Sequence, residues 1–350
     1  MKTPTLSICI PTYNSAKQIY QKAHELLACD CLDFQLVISD NHSPDDTIER
    51  LSSIQDPRLK LVSLPENKGS TYNILHAFNQ ADGKYALICM DKDRLLPQQI
   101  ATIVNILNEL KPNFGYFKLD TANQDPNKTA TRYPSVRDCL LEFAYKGMHP
   151  TGNFFSHDIL QKYFADYHLA DEKTVGGFLL DFMFAEAALE GNGLILDIPF
   201  CITTAPPFEG KTHSYTYSPA KKNVFFEPEV RFLTFQKQLA HCNQLPLKDD
   251  LKSCVLLQLV LNTYNLCTNG YAFVLTQKNI CDWYNVTPRE LSKAELKQIS
   301  RKFICDAASL QGLNTLSAMT LLRKLLKQDK WHKLGGKIGL CAQFLRRKLL

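Results

Sequence analysis

Two aspartates separated by one residue are the strongest sign of chemistry in this sequence. Asp91 and Asp93 flank Lys92 and follow an apolar run over residues 85–89 that predicts a buried strand. Open α/β sheets bind ligands at the carboxyl ends of their strands, and hard divalent cations take carboxylate oxygens together with substrate phosphates. The pair therefore predicts a metal-diphosphate site, although an isolated Asp-x-Asp is more often a charged surface turn.

The pair is not isolated, because each of the three preceding strands also ends in a polar segment. The strands are predicted over residues 6–10, 34–39 and 59–64, and the segments are Ile10-Pro11-Thr12-Tyr13-Asn14, Ser39-Asp40-Asn41-His42-Ser43 and Asn67-Lys68-Gly69. Helical patterns separate the strands, and Ser15 with Gln18 fits a capping box that opens the first helix. Strands alternating with helices predict a parallel sheet covered on both faces, with the polar segments at one edge.

In this order, the four segments closely resemble the N-terminal half of the family 2 glycosyltransferases of the GT-A fold. The resemblance is strong over residues 5–97 and weak over residues 152–214, and it does not cover the helical remainder. It implies an α/β fold with a Rossmann-like mixed sheet and helices on both faces. It also implies transfer of a sugar from a nucleotide-diphosphate donor.

The resemblance assigns roles to individual residues. It implies that the nucleotide sugar is bound by Pro11, Tyr13, Asp40, Asn67, Asp91 and Lys211, and that the metal is bound by Asp93, Asp91 and His213. The cofactor implied is Mn²⁺ or Mg²⁺, with Asp93 the better ligand. His42 stands where many members have a small residue, which leaves open how its loop lies against the nucleotide. A lone histidine is more often structural, so His213 is equally consistent with that role.

The same resemblance points to a catalytic base late in the domain. Family members usually carry a Glu-Asp motif at the start of a helix, and Asp181 fits this place at the start of a helix predicted over residues 180–190. Leu180 replaces the neighbouring acid, so a buried aspartate that caps its helix is the alternative. A carboxylate base would assist proton loss from an acceptor hydroxyl, and the family's single displacement inverts the anomeric centre. His149 and His157, beside a segment that resembles the acceptor-side loop, are weaker candidates.

Composition excludes several classes of protein. With 350 residues, 45% hydrophobic and 21% charged, the chain has the composition of a globular protein, and its net charge of +5 is too small to indicate a nucleic-acid partner. No run approaches the ~18 apolar residues of a membrane-spanning helix, and the start lacks the features of a secretory signal. We therefore expect a cytoplasmic protein.

Two domains are predicted: a GT-A glycosyltransferase domain over residues 1–217 and a helical region over residues 218–350. One helix of the second region fits a capping box at Thr287 and Glu290 with Pro288 at its first position. Residues 323–350 carry nine basic side chains and one acid. Their apolar residues recur at helical spacing, which predicts a basic amphipathic helix on an anionic membrane surface; a solvated helix docked on the domain fits equally well.

The resemblance to family 2 implies a metal-dependent inverting glycosyltransferase that moves a sugar, expected from a UDP-sugar, to a hydroxyl of a glycan acceptor. The expected acceptor is a growing surface glycan, such as a lipid-linked, capsular or lipopolysaccharide chain, at the inner face of the plasma membrane. A catalytically degenerate scaffold that binds a glycan or a partner enzyme is the alternative. A nucleotidyltransferase is less consistent, because Pro11-Thr12-Tyr13-Asn14 stands where such enzymes carry a glycine-rich phosphate loop.

Overall fold

The computed structural model describes residues 3–118, 130–202, 224–310, 313 and 317–327. The chain divides into two compact units, Met1–Tyr215 and Thr216–Leu350. The division lies in a segment outside the described residues, and the domain boundary at residue 217 stays a prediction.

A mixed sheet of eight strands forms the centre of the first unit. The described strands are β1 (Leu6–Thr12), β2 (Phe34–Asp40), β3 (Leu59–Ser63), β4 (Tyr85–Ile88), β5 (Arg94–Leu95), β6 (Phe114–Phe117), β7 (Ala130–Tyr133), β8 (Asn153–Ser156), β9 (Gly193–Leu196) and β10 (Cys201–Ile202). The sheet has the order β3-β2-β1-β4-β8-β6-β9-β7, and β5 pairs separately with β10. Strands β1 to β4 run parallel, whereas β8 runs antiparallel to both of its neighbours. The predicted mixed sheet is confirmed.

Helices cover both faces of this sheet. Those of the first unit are α1 (Ala16–Leu27), α2 (Thr47–Ser52), α3 (Gly69–Asn79), α4 (Ile100–Leu110), α5 (Val136–Phe143), α6 (His157–Tyr163), α7 (Glu172–Val175) and α8 (Leu179–Ala187). On one face, Leu6, Ile8 and Ile10 of β1 share a buried core with apolar residues of α1 and α4. On the other face, Ser39 of β2 donates a hydrogen bond to Asn73 of α3 at 2.6 Å. Successive strand residues point to opposite faces, so one strand contacts both layers.

The first strand continues beyond the point where its sequence suggests an end. Pro11 lies within β1, opposite Ser39 of β2. On its other side, β1 pairs with β4 only as far as Cys9. The proline has no N–H group, but no ladder bond is lost on that side because the pairing has already ended.

The described part of the second unit is helical. Its helices are α9 (Pro228–Gln244), α10 (Asp249–Asn265), α11 (Tyr271–Thr276), α12 (Lys278–Trp283), α13 (Lys293–Ala308) and α14 (Ser317–Lys327), with a π-helical turn, Leu266–Gly270, between α10 and α11. None of the described helices is long and apolar enough to cross a membrane. The basic tail beyond residue 327 lies outside the described residues, so its membrane contact stays a prediction.

The predicted start of one C-terminal helix is wrong. Helix α13 begins after Ser292, which forms a capping box with Glu295, and not after Thr287. The preceding segment is not helical, because Val286 and Leu291 pack against the cluster that contains Phe226. Both positions match the capping pattern in sequence, and tertiary packing selected the second.

Candidate active site

The polar segments that follow the first four strands meet at one edge of the sheet. The Asn41 N–H donates to the Thr12 carbonyl at 3.0 Å, which joins the ends of β1 and β2. The Asn41 side chain donates to Asn67 Oδ1 at 2.9 Å, which joins the loop after β2 to the loop after β3. Strands β1 to β4 are parallel, so this is their common carboxyl edge, where α/β folds bind ligands.

Asp40 is fully buried and is held by hydroxyl and amide donors of its own edge. Its carboxylate accepts hydrogen bonds from the Ser43 N–H at 3.0 Å, from the Ser43 hydroxyl and from the Ser63 hydroxyl at 3.2 Å. His42 adopts a left-handed conformation with φ 61°, an uncommon state for a non-glycine residue that this tight turn requires. The turn therefore fixes Asp40 in one orientation. The nucleotide contacts assigned to Asp40 and Asn67 stay predictions.

Pro11 and Tyr13 lie at the end of β1, beside this turn. Pro11 is buried in the sheet and Tyr13 is half-buried. The next residue, Asn14, has φ 51° and its N–H donates to the Ser43 hydroxyl at 2.8 Å. The loop that carries Tyr13 is thereby tied to the loop that carries Asp40, as a shared nucleotide site would require.

Asp91 is held by the β1–α1 connection. The Ser15 hydroxyl donates to Asp91 Oδ2 at 2.7 Å, and the Thr12 hydroxyl makes a longer hydrogen bond to the same oxygen at 3.4 Å. Ser15 stands at the N-cap position of α1, but its side chain makes no cap hydrogen bond to the helix, so the capping-box prediction is wrong. The first N–H of the helix, that of Ala16, donates instead to the Asp45 carboxylate at 3.1 Å.

Lys22 is a site residue that the sequence analysis missed. It lies in α1, only 8% exposed, and its ammonium group donates to the main-chain carbonyls of Met90 at 3.0 Å and Asp91 at 2.5 Å. The signal in the sequence is its place on the helix, because Lys22 falls between Ile19 and Leu26 on the apolar face. A lysine on a buried helix face needs a specific polar partner.

Asp93 faces a different element, the loop over residues 144–152. Its Oδ2 accepts a hydrogen bond from the Thr151 hydroxyl, which in turn accepts from the Met90 N–H at 2.9 Å. His149 Nε2 lies 3.5 Å from the same oxygen. Asp93 Oδ1 accepts no hydrogen bond from any residue in the described part of the chain.

Burial favours the neutral form of the His149 ring, which lies beside Asp93. Burial lowers the pKa of His149 by more than the nearby Asp93 carboxylate raises it. Its Nδ1 accepts a hydrogen bond from the Thr151 N–H at 3.2 Å, so the neutral ring carries its proton on Nε2. In this tautomer, the protonated Nε2 lies 3.5 Å from Asp93 Oδ2 and is not a metal ligand.

Asp181 is held by the same loop. Its Oδ1 accepts the Gly147 N–H at 2.6 Å, and the residue is 3% exposed. The N-cap position of α8 belongs to Phe178, so Asp181 lies in the first turn and is not the cap residue. Gly147 and His149 are two residues apart, which limits their Cα separation to ~7 Å. One short segment therefore contacts both the Asp-x-Asp turn and the predicted base.

The side chains at this edge fit a cation that is held mainly by its substrate. Among the described residues, no three His, Cys, Asp or Glu side chains are grouped to hold a metal. Magnesium-type cations are commonly bound by one or two carboxylates together with substrate phosphates, and Asp93 Oδ1 meets that requirement. Lys211 and His213 lie outside the described residues, so their predicted roles stay predictions.

The fold and this edge together define an α/β domain of the GT-A class. Residues 7–164 match the family model described as Glycosyl transferase family 2. The chain superposes on the crystal structure of S. aureus TarS 1–349 in complex with UDP-GlcNAc with a TM-score of 0.60, covering 95% of this chain and 91% of that one at 16% identity. Over residues 7–164, the first unit of this chain is therefore similar to the glycosyltransferases of family 2.

Two curated relatives act in bacterial glycan synthesis according to their names. One is the GalNAc(5)-diNAcBac-PP-undecaprenol beta-1,3-glucosyltransferase of Campylobacter jejuni, 28% identical over 109 residues, which are 30% of this chain and 35% of the relative. The other is the succinoglycan biosynthesis protein ExoO of Rhizobium meliloti, 23% identical over 124 residues, which are 35% of this chain and 36% of the relative. The matches thus span about a third of each relative's length.

Proposed function

We propose that the protein is a metal-dependent inverting glycosyltransferase that moves a sugar from a UDP-sugar to a hydroxyl of a glycan acceptor. The observation that carries this proposal is the loop over residues 144–152, which contacts Asp93 on one side and Asp181 on the other. A transferase of this kind needs a group that holds the donor diphosphate and a base that receives the acceptor proton. The loop keeps two carboxylates suited to these tasks at one site.

In this reaction Asp181 is the general base. The Gly147 N–H donates to Oδ1 and orients the carboxylate that would take the acceptor proton. The acceptor oxygen forms the new bond to the anomeric carbon while the bond to the donor diphosphate breaks, and this single displacement inverts the configuration. A base oriented in this way contributes about 10²- to 10⁴-fold in rate.

The donor lies at the other side of the site. The proposed contacts of the nucleotide are Pro11, Tyr13, Asp40 and Asn67, with Lys211 near the phosphates. Mn²⁺ or Mg²⁺ would be held by Asp93, with Asp91 and His213 as further ligands, and would stabilise the charge that develops on the departing diphosphate. The UDP-GlcNAc bound by TarS supports UDP as the donor nucleotide for this fold.

The names of the relatives support a surface glycan as the acceptor. The Campylobacter relative is named for a glycan linked through diphosphate to undecaprenol, and the Rhizobium relative for succinoglycan synthesis. We propose a lipid-linked, capsular or lipopolysaccharide chain, reached at the inner face of the plasma membrane with the basic tail on anionic lipid. The protein would then be cytoplasmic and peripheral to the membrane.

A catalytically degenerate scaffold that binds a glycan or a partner enzyme is the second candidate. Leu180 favours it, because the acid that usually precedes the base is absent. The description as an active enzyme is favoured by four aspartates that are buried and hydrogen-bonded at the candidate site: Asp40, Asp91, Asp93 and Asp181.

Thermal unfolding with UDP, GDP, CMP and TDP, each with and without Mn²⁺, tests the proposal. A ligand that binds only the folded state at 100 times its dissociation constant adds about 2.7 kcal/mol of stability. We expect UDP to raise the unfolding temperature only when Mn²⁺ is present. If none of the nucleotides has an effect under either condition, the scaffold is the better description.

A further inference from the structure

A buried ammonium group lies directly behind the Asp91–Asp93 turn. The two hydrogen bonds of Lys22 go to the main-chain carbonyls of Met90 and Asp91. The Met90 carbonyl also accepts the Asp93 N–H at 3.0 Å, so the ammonium binds the turn at the point where it closes. Two hydrogen bonds and burial hold the charge in one place.

The ammonium and both carboxylates act on the same small region. The ammonium donates to the main-chain carbonyl of Asp91 itself, and the side chains of Asp91 and Asp93 are buried beside it, 6% and 1% exposed. Charges in such a place are screened much less than charges in water, so each acts strongly on any ion bound by the pair.

A merely structural donor at this position would not need a charge. A neutral hydroxyl or amide could satisfy the Met90 and Asp91 carbonyls, and burying an ammonium is costly unless negative charge lies nearby. Asp91 and Asp93 supply that negative charge in the protein without ligand. When a divalent cation binds the same carboxylates, however, Lys22 opposes it.

We propose that Lys22 is a fixed positive charge that disfavours the divalent cation at Asp91 and Asp93 until the nucleotide diphosphate is bound. This inference rests on the proposed function of the site. Lys22 offsets part of the negative charge of the pair, which weakens metal binding to the protein alone. The diphosphate brings several further negative charges, which outweigh the single charge of Lys22. Metal and nucleotide therefore bind together, and Lys22 acts on both through its charge and not through direct contact.

The test measures Mn²⁺ affinity of the full chain, with and without UDP, from the electron paramagnetic resonance signal of free Mn²⁺. In the unaltered protein we expect affinity to be at least about tenfold tighter with UDP. Lys22→Met keeps the length of the side chain and removes the charge, so we expect Mn²⁺ affinity without UDP to rise about tenfold. Lys17→Met, an exposed lysine of the same helix, is the matched control and should leave both affinities unchanged.

A purely structural role for Lys22 predicts the opposite change in Mn²⁺ affinity. If Lys22 only held the turn in shape, its loss would disorder Asp93, and Lys22→Met would lower Mn²⁺ affinity under both conditions. A lowered or unchanged affinity without UDP overturns the proposal. Should Lys22→Met fail to fold, equal Mn²⁺ affinities with and without UDP in the unaltered protein would overturn it instead. Failure of UDP to bind with Mn²⁺ contradicts the proposed function, whereas UDP binding with no gain in Lys22→Met contradicts only the role of Lys22.

Discussion

The two sides of the candidate site are built in different ways. The side around Asp40 and Asp91 comes from four consecutive strand ends, all within the first 97 residues, and adjacent loops bond to one another. The side around Asp93 and Asp181 is closed by one loop from the middle of the chain, which donates hydrogen bonds to both aspartates. The first side follows from a repeated strand–helix pattern, whereas the second depends on where one loop lies.

Backbone conformation, more than side-chain type, shapes that loop. Tyr145, Gly147 and Gly152 all adopt left-handed conformations, with φ 57°, 65° and 95°. A Cβ at Gly152 would lie 2.6 Å from the Phe200 ring, so glycine is required there both for its conformation and for its close approach to the ring. The comparison implies that the first side tolerates loss of single hydrogen bonds better than the second, and variants can test this.

The largest effect is expected from Asp93→Ala. The substitution removes the carboxylate whose Oδ1 has no hydrogen bond among the described residues and which we propose as the main metal ligand. Stabilisation by UDP with Mn²⁺ should disappear, and transfer should fall by more than about 10³-fold, since metal stabilisation of the leaving group is worth several kcal/mol. Glu109→Ala, on the exposed surface of α4, is the control for thermal unfolding and sugar transfer. Persistent Mn²⁺-dependent stabilisation in Asp93→Ala would show that the metal lies elsewhere.

Asp181→Asn separates binding from transfer on the second side. The amide can still accept the Gly147 N–H but cannot take a proton, so transfer should fall about 10²- to 10⁴-fold. Stabilisation by UDP with Mn²⁺ should stay at the level of the unaltered protein. Transfer at an unchanged rate would exclude Asp181 as the base.

Thr151→Val tests the link between the loop and Asp93. It keeps the shape of the side chain and removes the hydroxyl that donates to Asp93 and accepts from Met90. Groups that orient a metal ligand typically contribute about 10- to 100-fold in metal affinity, so Mn²⁺ binding with UDP should weaken by that amount. Thr151→Ser retains the hydroxyl and should bind Mn²⁺ about as tightly as the unaltered protein; unchanged affinity in Thr151→Val would show that the hydroxyl does not orient Asp93.

Ser15→Ala is the matching test on the first side. It removes the hydrogen bond to Asp91, while the Thr12 hydroxyl remains as a second donor to the same oxygen. The expected loss in the free energy of unfolding is about 1 kcal/mol, measured by denaturant titration, with a smaller loss of Mn²⁺ affinity than in Thr151→Val. A loss of affinity as large as in Thr151→Val would remove the distinction between the two sides.

The smallest effect on stability is expected from the contact between His168 and Glu186 of α8, the helix that carries Asp181. His168 donates from its ring to Glu186 of α8 at 2.9 Å and to Asp166 at 2.8 Å, and these two carboxylates, Glu186 most strongly, raise its pKa to about 9. The folded-state pKa exceeds the unfolded value of 6.5, so this stabilisation is fully present below pH 6.5 and is lost as the pH rises through about 9.

The difference in unfolding temperature between the unaltered protein and His168→Gln should therefore shrink between pH 6 and pH 10. His168 is partly exposed, so solvent screening keeps the effect small. A constant difference over this range would show that the charge of His168 contributes nothing.

Local sequence patterns were sufficient to predict part of this structure. Alternating apolar strands and helices predicted the α/β sheet, and the order of four polar segments indicated the family and the edge where those segments meet. These features depend on neighbours in the chain, and a repeated strand–helix unit brings the ends of parallel strands together whatever else the fold contains. The roles of Asp40, Asp93 and Asp181 in transfer stay predictions.

Contacts between residues that are distant in sequence decided which partners the remaining polar side chains bind. Ser15 and Thr287 both match a capping pattern in sequence. The Ser15 hydroxyl, however, donates to Asp91, and the segment that contains Thr287 is not helical, since α13 begins only after Ser292. The sequence places Lys22 on the apolar face of α1, but only the fold places its charge behind the carboxylate pair. A side chain with several available partners takes the one that the tertiary structure brings within reach, because a buried polar group without a partner is costly.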